Sequence, residues 1–375
     1  MDNPFTISVG EPLTIFIGRK ELRERILDVI LFGKTEFQTT LIKGVRGIGK
    51  TVLSREIITE ATKQGAHGIF IPAMDFDKLE PAVLNGLAQW VDEVTLSKIT
   101  FSINLGIVST SSEFTASYAA RGDLYTDGKK LLDALHAKNK WIIIAIDEVQ
   151  AHVQAIADFV ATYQQWLGDG YKVMLIMNGV ADEIDELLTN KSVTFMRRAK
   201  QAKLVSLNDF EEIANVYQTA FSKKNVGLSI EKAKYLAKLS KGYPYAVQLI
   251  GYFLWEQSNS GHEISNEQIN QALVSVKSSL NTNVYRLMLS TRSPRDIDFL
   301  KAMIIDTKQD TDIVESSAVI EKLNADNSYY SQYRNRLIEA GLIKSVGYGK
   351  LAFVFPWFDE YLLRDELLPE TEEFA

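Results

Sequence analysis

The chain has 375 residues, 46% of them hydrophobic and 24% charged, with a formal net charge of −7 and no cysteine. That length predicts two or three domains; the composition excludes disulfide and thiolate chemistry, and the acidic balance excludes an indiscriminate polyanion-binding surface. No apolar run reaches the roughly 18 residues of a membrane span, and no secretory signal opens the chain, so a cytoplasmic, membrane-free protein is expected. The histidines, His67, His136, His152 and His262, are scattered and form no metal-ligand cluster.

In chain order, the first two-thirds alternates apolar strands with amphipathic helices. Strands are predicted at 39–43, 68–75, 141–147, 172–178 and 202–207. The third, "WIIIAID", is almost continuously apolar, as a strand buried on both faces must be. Helices are predicted at about 50–64, 77–94, 126–138, 153–167 and 181–189. This alternation implies a parallel sheet with helices on both faces. The stretch 98–118 has β-branched alternation and reads either as a hairpin insertion or as a surface loop. Helical patterns follow near 208–222, 229–240, 243–257 and 265–279. From about Ser293 three helical segments lead into two short strands, 343–347 and 350–355, joined through Gly347-Tyr348-Gly349, the order of a winged helix-turn-helix. The expected division is a core at 1–207, a helical domain at 208–290 and a winged-helix domain at 291–375, closed by an acidic tail.

"GVRGIGKT", Gly44 to Thr51, fits G-x-x-x-x-G-K-[ST]. Gly44, Gly47 and Gly49 let backbone amides turn onto phosphate oxygens without a Cβ clash. Val45, Arg46 and Ile48 complete the loop, and the helix opening at Lys50, Thr51 and Val52 adds its positive N-terminal dipole. Lys50 supplies charge for the terminal phosphates, and the Thr51 hydroxyl is a ligand for Mg²⁺. Asp147 and Glu148 end the third strand, where open α/β sheets place ligand groups. Asp147 is the second Mg²⁺ residue, and Glu148 is the general base for an attacking water. Asn178 ends the next strand and is read as a group that orients that water or meets the γ-phosphate; an ordinary turn also explains it. The stretch 191–203 is basic without an acid. Arg197 or Arg198 then either stabilises the transferring phosphoryl group, within a subunit or from a neighbour, or belongs to a solvated basic face.

These motifs fall in a familiar order. "FIGRKEL" (16–22) resembles the box that precedes the phosphate loop in origin-recognition-type AAA+ ATPases and STAND-class ATPases. "GVRGIGKT" and "IIIAIDE" resemble their Walker A and Walker B motifs, "MRRA" their arginine-bearing segment, and "KGYPYAVQLIG" (241–251) the Gly-x-Pro motif of the STAND lid. The resemblance covers about residues 13–365. It implies ATP with Mg²⁺, a helical lid, and adenine contacts from Phe16, Ile17, Gly18, Arg19 and Pro244. The lid helix departs from the initiator pattern in carrying no arginine.

The segment 291–375 holds ten basic and sixteen acidic residues, yet Arg334, Arg336, Lys344 and Lys350 cluster around the candidate reading helix and wing. They are the candidate contacts to double-stranded DNA. The expected function is an ATPase whose conformational or assembly cycle, as a homo-oligomer, is coupled to DNA; the alternative is a signalling or defence switch whose winged helix packs against a protein partner.

Overall fold

A computed structural model describes residues 2–7, 15–72, 78–96, 99, 106–110, 113–117, 123–150, 154–304, 313–324 and 326–363. Parts of the expected segments 68–75, 77–94, 98–118 and 153–167, and the acidic tail, lie outside the described residues. The chain groups into two compact units. One comprises Arg19–Gly44 with Lys50–Leu204; the other comprises Met1–Gly18, Val45–Gly49 and Val205–Ala375.

The first unit is a five-stranded parallel sheet. Its strands are β1 (Thr39–Lys43), β2 (His67–Ile71), β5 (Ile142–Ile146), β6 (Val173–Gly179) and β7 (Lys200–Lys203), in the order β2-β5-β6-β1-β7. Every residue of β5 and β6 is buried, which explains their unbroken apolar sequence. Helices α1 (Lys20–Phe32), α2 (Lys50–Lys63), α3 (Leu79–Ala88), α4 (Leu124–His136), α5 (Gln154–Gly168) and α6 (Ala181–Leu187) accompany the sheet. The start of α4 is fixed by Asp123, whose carboxylate accepts from the amides of Tyr125 and Thr126. Leu124, Leu131, Leu132 and Leu135 of that helix then join Phe159, Tyr163 and Trp166 of α5 in the core. Strands β3 (Gly106–Thr110) and β4 (Glu113–Ser117) pair antiparallel, so the insertion carries a hairpin.

One strand is displaced from its expected place. The sequence favours the apolar run 202–207, but β7 is Lys200–Lys203 and, among the described residues, pairs only with β1. An edge strand tolerates lysines on its open side, and charge there discourages pairing with other chains. The apolar residues that follow continue the contact with β1 for one more step, the Leu204 amide reaching the Lys43 carbonyl at 2.8 Å. Helix α1 and the 3₁₀ segment Lys191–Arg198 are further elements that the hydrophobic pattern does not announce.

In the second unit, α7 (Phe210–Lys223), α8 (Ile230–Leu239), α9 (Pro244–Gln257) and α10 (Asn266–Leu280) form the helical part. Their starts carry the signals expected of helix N-termini: Asp209 and Ser229 as caps, Pro244 in the first turn, and a reciprocal Ser265–Gln268 capping box. After α11 (Arg286–Ser290) come α12 (Pro294–Ala302), β8 (Ile313–Glu315), α13 (Ser316–Leu323), α14 (Asn327–Glu339), β9 (Ile343–Gly347), β10 (Lys350–Phe353) and α15 (Phe358–Leu362). The three strands form an antiparallel sheet in the order β8-β10-β9. This is the order expected of a winged helix-turn-helix, with β8 as a third strand that its short sequence did not reveal. Near the N-terminus Phe5 is buried against Gly251 and the rings of Tyr217 and Phe221.

Candidate active site

The strand order brings the candidate residues of the first unit together. Strand β6 lies between β1 and β5, in register Ile42 with Asn178 and Ile146 with Met177. A side chain at the C-terminal end of β6 therefore reaches toward both neighbours. Asn178 is fully buried. Its Nδ2 donates to Asp147 Oδ1 at 3.1 Å and to the Lys50 carbonyl at 3.5 Å, while its Oδ1 accepts from Ser54 Oγ at 3.0 Å.

Donor chemistry orders this network. An ionised carboxylate only accepts, so the amide NH₂ faces Asp147 and the amide oxygen faces Ser54. The Thr51 hydroxyl is likewise the donor in its 2.6 Å bond to Asp147 Oδ2. Both carboxylate oxygens of Asp147, which is only 5% exposed, are thus held by neutral donors from α2 and β6.

Glu148 follows with its backbone in the left-handed region, φ 51°, and its side chain exposed. The kink turns Asp147 inward and Glu148 outward, and lets the Val149 amide reach the Asn178 carbonyl at 2.8 Å. A non-glycine residue held there costs about 1–2 kcal/mol, the kind of local strain that collects at functional positions.

Lys50 opens α2 and places Nζ 2.8 Å from the Gly44 carbonyl. Between β1 and α2 the loop residues Val45–Gly49 group with the second unit. Gly47 and Gly49 have φ of 73° and 94°, which a side chain resists. At Gly47 space also forbids one, since a Cβ there would lie 2.1 Å from the Tyr243 hydroxyl oxygen. That hydroxyl donates to the Arg46 carbonyl at 2.6 Å.

The expected adenine-side residues divide between the units. Phe16, Ile17, Gly18 and Pro244 are half-buried in the second, Arg19 caps α1 in the first. Leu207 brings two of the motifs together: its side chain packs on Gly18, and its amide donates to the Gly242 carbonyl, two residues before Pro244, at 2.8 Å. The Gly18 amide donates to Glu212 at 3.1 Å. Arg197 and Arg198 are exposed, and Arg197 Nε is bonded to the Leu188 carbonyl at 2.9 Å.

Sequence patterns do not single out Ser54, Leu207 or Tyr243. Ser54 lies one turn after Lys50 on the buried face of α2, where a hydroxyl needs a polar partner. That buried-polar position is the available signal.

The residues present suit Mg²⁺. Thr51 spends its hydrogen on Asp147 and keeps oxygen lone pairs for a cation, with the carboxylate alongside. One hydroxyl and one carboxylate match an ion that keeps several waters and binds mainly through phosphate oxygens. Among the described residues no group of three or more His, Cys, Asp or Glu could hold a metal unaided.

Known structures share this architecture. The Walker-type ATPase PABY2304 of Pyrococcus abyssi is 17% identical, with 93% of this chain and 96% of that chain covered and a TM-score of 0.63. The ORC2 protein of Aeropyrum pernix in its ADP form is 12% identical, with coverages of 95% and 96% and a TM-score of 0.53. The chain has the fold of these ATPases. Residues 282–362 match the family described as a domain of unknown function (DUF8462). No curated protein matches the chain. Among the described residues, no helix is long and apolar enough to cross a membrane.

Proposed function

We propose that the chain binds ATP with Mg²⁺ and hydrolyses it, as an AAA+/STAND-type ATPase whose cycle drives a conformational or assembly change. The observation that carries this reading is the buried Thr51–Asp147–Asn178–Ser54 network, joined in sequence to a glycine loop with left-handed turns at Gly47 and Gly49. The shared fold of Walker-type ATPases supports it.

In this reading the loop amides and Lys50 bind the phosphates. Thr51 and Asp147 would hold Mg²⁺, which when bound neutralises charge developing on the phosphate oxygens. Glu148 accepts the proton of the attacking water, and its exposed position beside buried Asp147 suits a group that must meet solvent. Asn178 acts one step back. It fixes the carboxylate of Asp147 and, through Ser54, the first turns of α2. Phe16, Ile17, Gly18 and Pro244 flank the base, while Arg197 or Arg198 adds charge to the transition state from the same or a neighbouring subunit of a homo-oligomer.

The output is duplex DNA, reached by the wing. Lys344 and Tyr348 are exposed, and Lys350 makes a 3.6 Å half-exposed pair with Glu315, which a phosphate can replace cheaply. A second reading, a switch whose winged helix packs against protein, is favoured by one observation. The Arg336 guanidinium, a candidate DNA contact, is bonded to Asp296 and Ser293 of its own domain.

The test is ATP hydrolysis by wild type and Glu148→Gln with and without duplex DNA. Stimulation of the wild type and an inert variant support the DNA-coupled ATPase. Hydrolysis that ignores DNA at every salt concentration supports the protein switch, and no hydrolysis by wild type refutes both.

A further inference from the structure

Within the second unit one side chain links the phosphate loop to the C-terminal hairpin. Tyr243 precedes the first residue of α9 and is fully buried. Its hydroxyl end touches the loop: it donates to the Arg46 carbonyl at 2.6 Å and lies against Gly47. Its ring meets Phe355 edge-on, with centroids 5.0 Å apart at 88°. Phe355 lies two residues past the end of β10 and is also fully buried, in contact with the rings of Tyr285 and Phe358. Tyr285 in turn donates to the Pro356 carbonyl. A second, separate contact joins the same two regions. At Gly341, just past the end of α14, a Cβ would lie 2.6 Å from Val45 Cγ1, so the loop rests against the backbone there.

We propose that Tyr243 is a positioning residue through which the C-terminal winged-helix segment sets the conformation of the phosphate loop. Phe355 fixes the ring, the ring fixes the hydroxyl, and the hydroxyl fixes the Arg46 peptide. The neighbouring Gly47 amide belongs to that loop, so a shift of the hairpin that carries Phe355 re-aims the donors facing phosphate. Occupancy of the winged helix, by DNA or by protein, thereby alters nucleotide affinity, and nucleotide alters that occupancy by the same factor. The effect on nucleotide rests on the ATP-binding reading; the tether itself does not.

The experiment compares wild type, Tyr243→Phe, Phe355→Leu, the double variant and Lys50→Ala, with two readouts. Hydrogen exchange of the peptide spanning 41–53 is measured without nucleotide. Titration with a fluorescent ADP analogue follows. Tyr243→Phe keeps the ring and is expected to speed exchange in that peptide while peptides of β5 and β6 stay unchanged, and to weaken ADP roughly two- to tenfold, the worth of one net hydrogen bond. Phe355→Leu is expected to act in the same direction, with the double variant no weaker than Tyr243→Phe alone, since both act through one hydroxyl. Loop exchange equal to wild type in Tyr243→Phe overturns the proposal, as do effects that simply multiply in the double variant. If wild type binds ADP no better than Lys50→Ala, the ATP reading falls while loop exchange still decides the tether. Should Phe355→Leu unfold, Tyr243→Phe decides alone.

Discussion

Thr51 gives its hydroxyl hydrogen to Asp147 at 2.6 Å, and in doing so fixes which of the two residues donates and which accepts. Asp147, which is buried, receives its second hydrogen bond from Asn178. Asp147→Asn preserves shape but removes the carboxylate and turns one acceptor into a donor aimed at a donor. ATP affinity in Mg²⁺ is expected to fall about 10–100-fold, the usual cost of disturbing a metal's ligands or their supports. Affinity in EDTA should change less than about twofold. A fluorescent ATP analogue titrated under both conditions decides the matter, and an unchanged Mg²⁺ dependence removes Asp147 from the metal site.

Substitution of Glu148 tests the proposed catalytic role apart from stability. Glu148→Gln should bind ATP normally and hydrolyse it about 10²–10⁴-fold more slowly, the range for a lost general base. Glu148→Gly should lose hydrolysis too, yet be more stable. It relieves a left-handed cost of about 1–2 kcal/mol against an entropy cost for glycine of about 0.5–1 kcal/mol. Chemical denaturation should show a net gain of about 0.5–1 kcal/mol. A variant less stable than wild type would mean that the exposed carboxylate has a structural role.

Much of this centre is legible in the sequence because its signals are local. The loop glycines, Lys50, Thr51 and the acidic pair ending "IIIAIDE" stand at fixed offsets from an apolar strand, and β1, β5 and β6 form where hydrophobic runs demand double-sided burial. Ser54 and Tyr243 are not legible. Each matters through a partner more than a hundred residues away, Asn178 and Arg46 respectively, and no pattern within one segment records such a pairing. Strand β7 is hidden for the opposite reason. The apolar run beside it looks more strand-like than "KQAK", yet an edge position asks less burial of a strand than a central one.

Ser54 offers a cleaner probe than Asn178. Ser54→Ala leaves the Asn178 amide oxygen buried without its hydroxyl donor, at an expected cost of about 1–3 kcal/mol. The freed amide should also hold Asp147 less well, so hydrolysis should slow while ADP affinity without Mg²⁺ is kept. Loss of stability with unchanged kcat would confine Ser54 to folding.

His67 predicts a pH dependence away from the site. Its ring is buried, stacked on Trp90 at 4.6 Å, and neither ring nitrogen has a hydrogen-bond partner among the described residues. Burial, with Lys140 and Lys138 nearby, holds its pKa below the ordinary histidine value. A depressed folded pKa means that the unfolded chain takes up the proton first. Its contribution is therefore fully present above the unfolded pKa, near 6.5, and is lost as pH falls through the folded value. The urea midpoint of wild type should drop more between pH 7.5 and 5 than that of His67→Phe. Equal drops would show that another group controls this range.

The arginines and lysines of the C-terminal segment should separate by the same logic of what each side chain already holds. Arg336 donates to Asp296 at 2.8 Å and to Ser293 at 2.7 Å, clamping α14 onto the capped start of α12. Burial raises the pKa of Asp296, but the bonds from Arg336 and Ser293 outweigh it and leave the carboxyl below its ordinary range. A depressed carboxylate stabilises above its unfolded pKa and ceases to as pH falls through the folded one. Arg336→Ala should therefore destabilise at pH 7, by about 1–3 kcal/mol for an unmade bond at a buried acid, and the difference from wild type should shrink as Asp296 protonates in acid. Lys344 lies exposed on β9 and should behave oppositely. Lys344→Ala should leave the melting temperature unchanged and, if the wing meets DNA, reduce the slope of log affinity against log salt by about 1. Denaturation at pH 7 and 4, beside DNA titrations at several salt concentrations, reads both. A salt slope unmoved by Lys344→Ala takes that wing lysine out of the DNA interface.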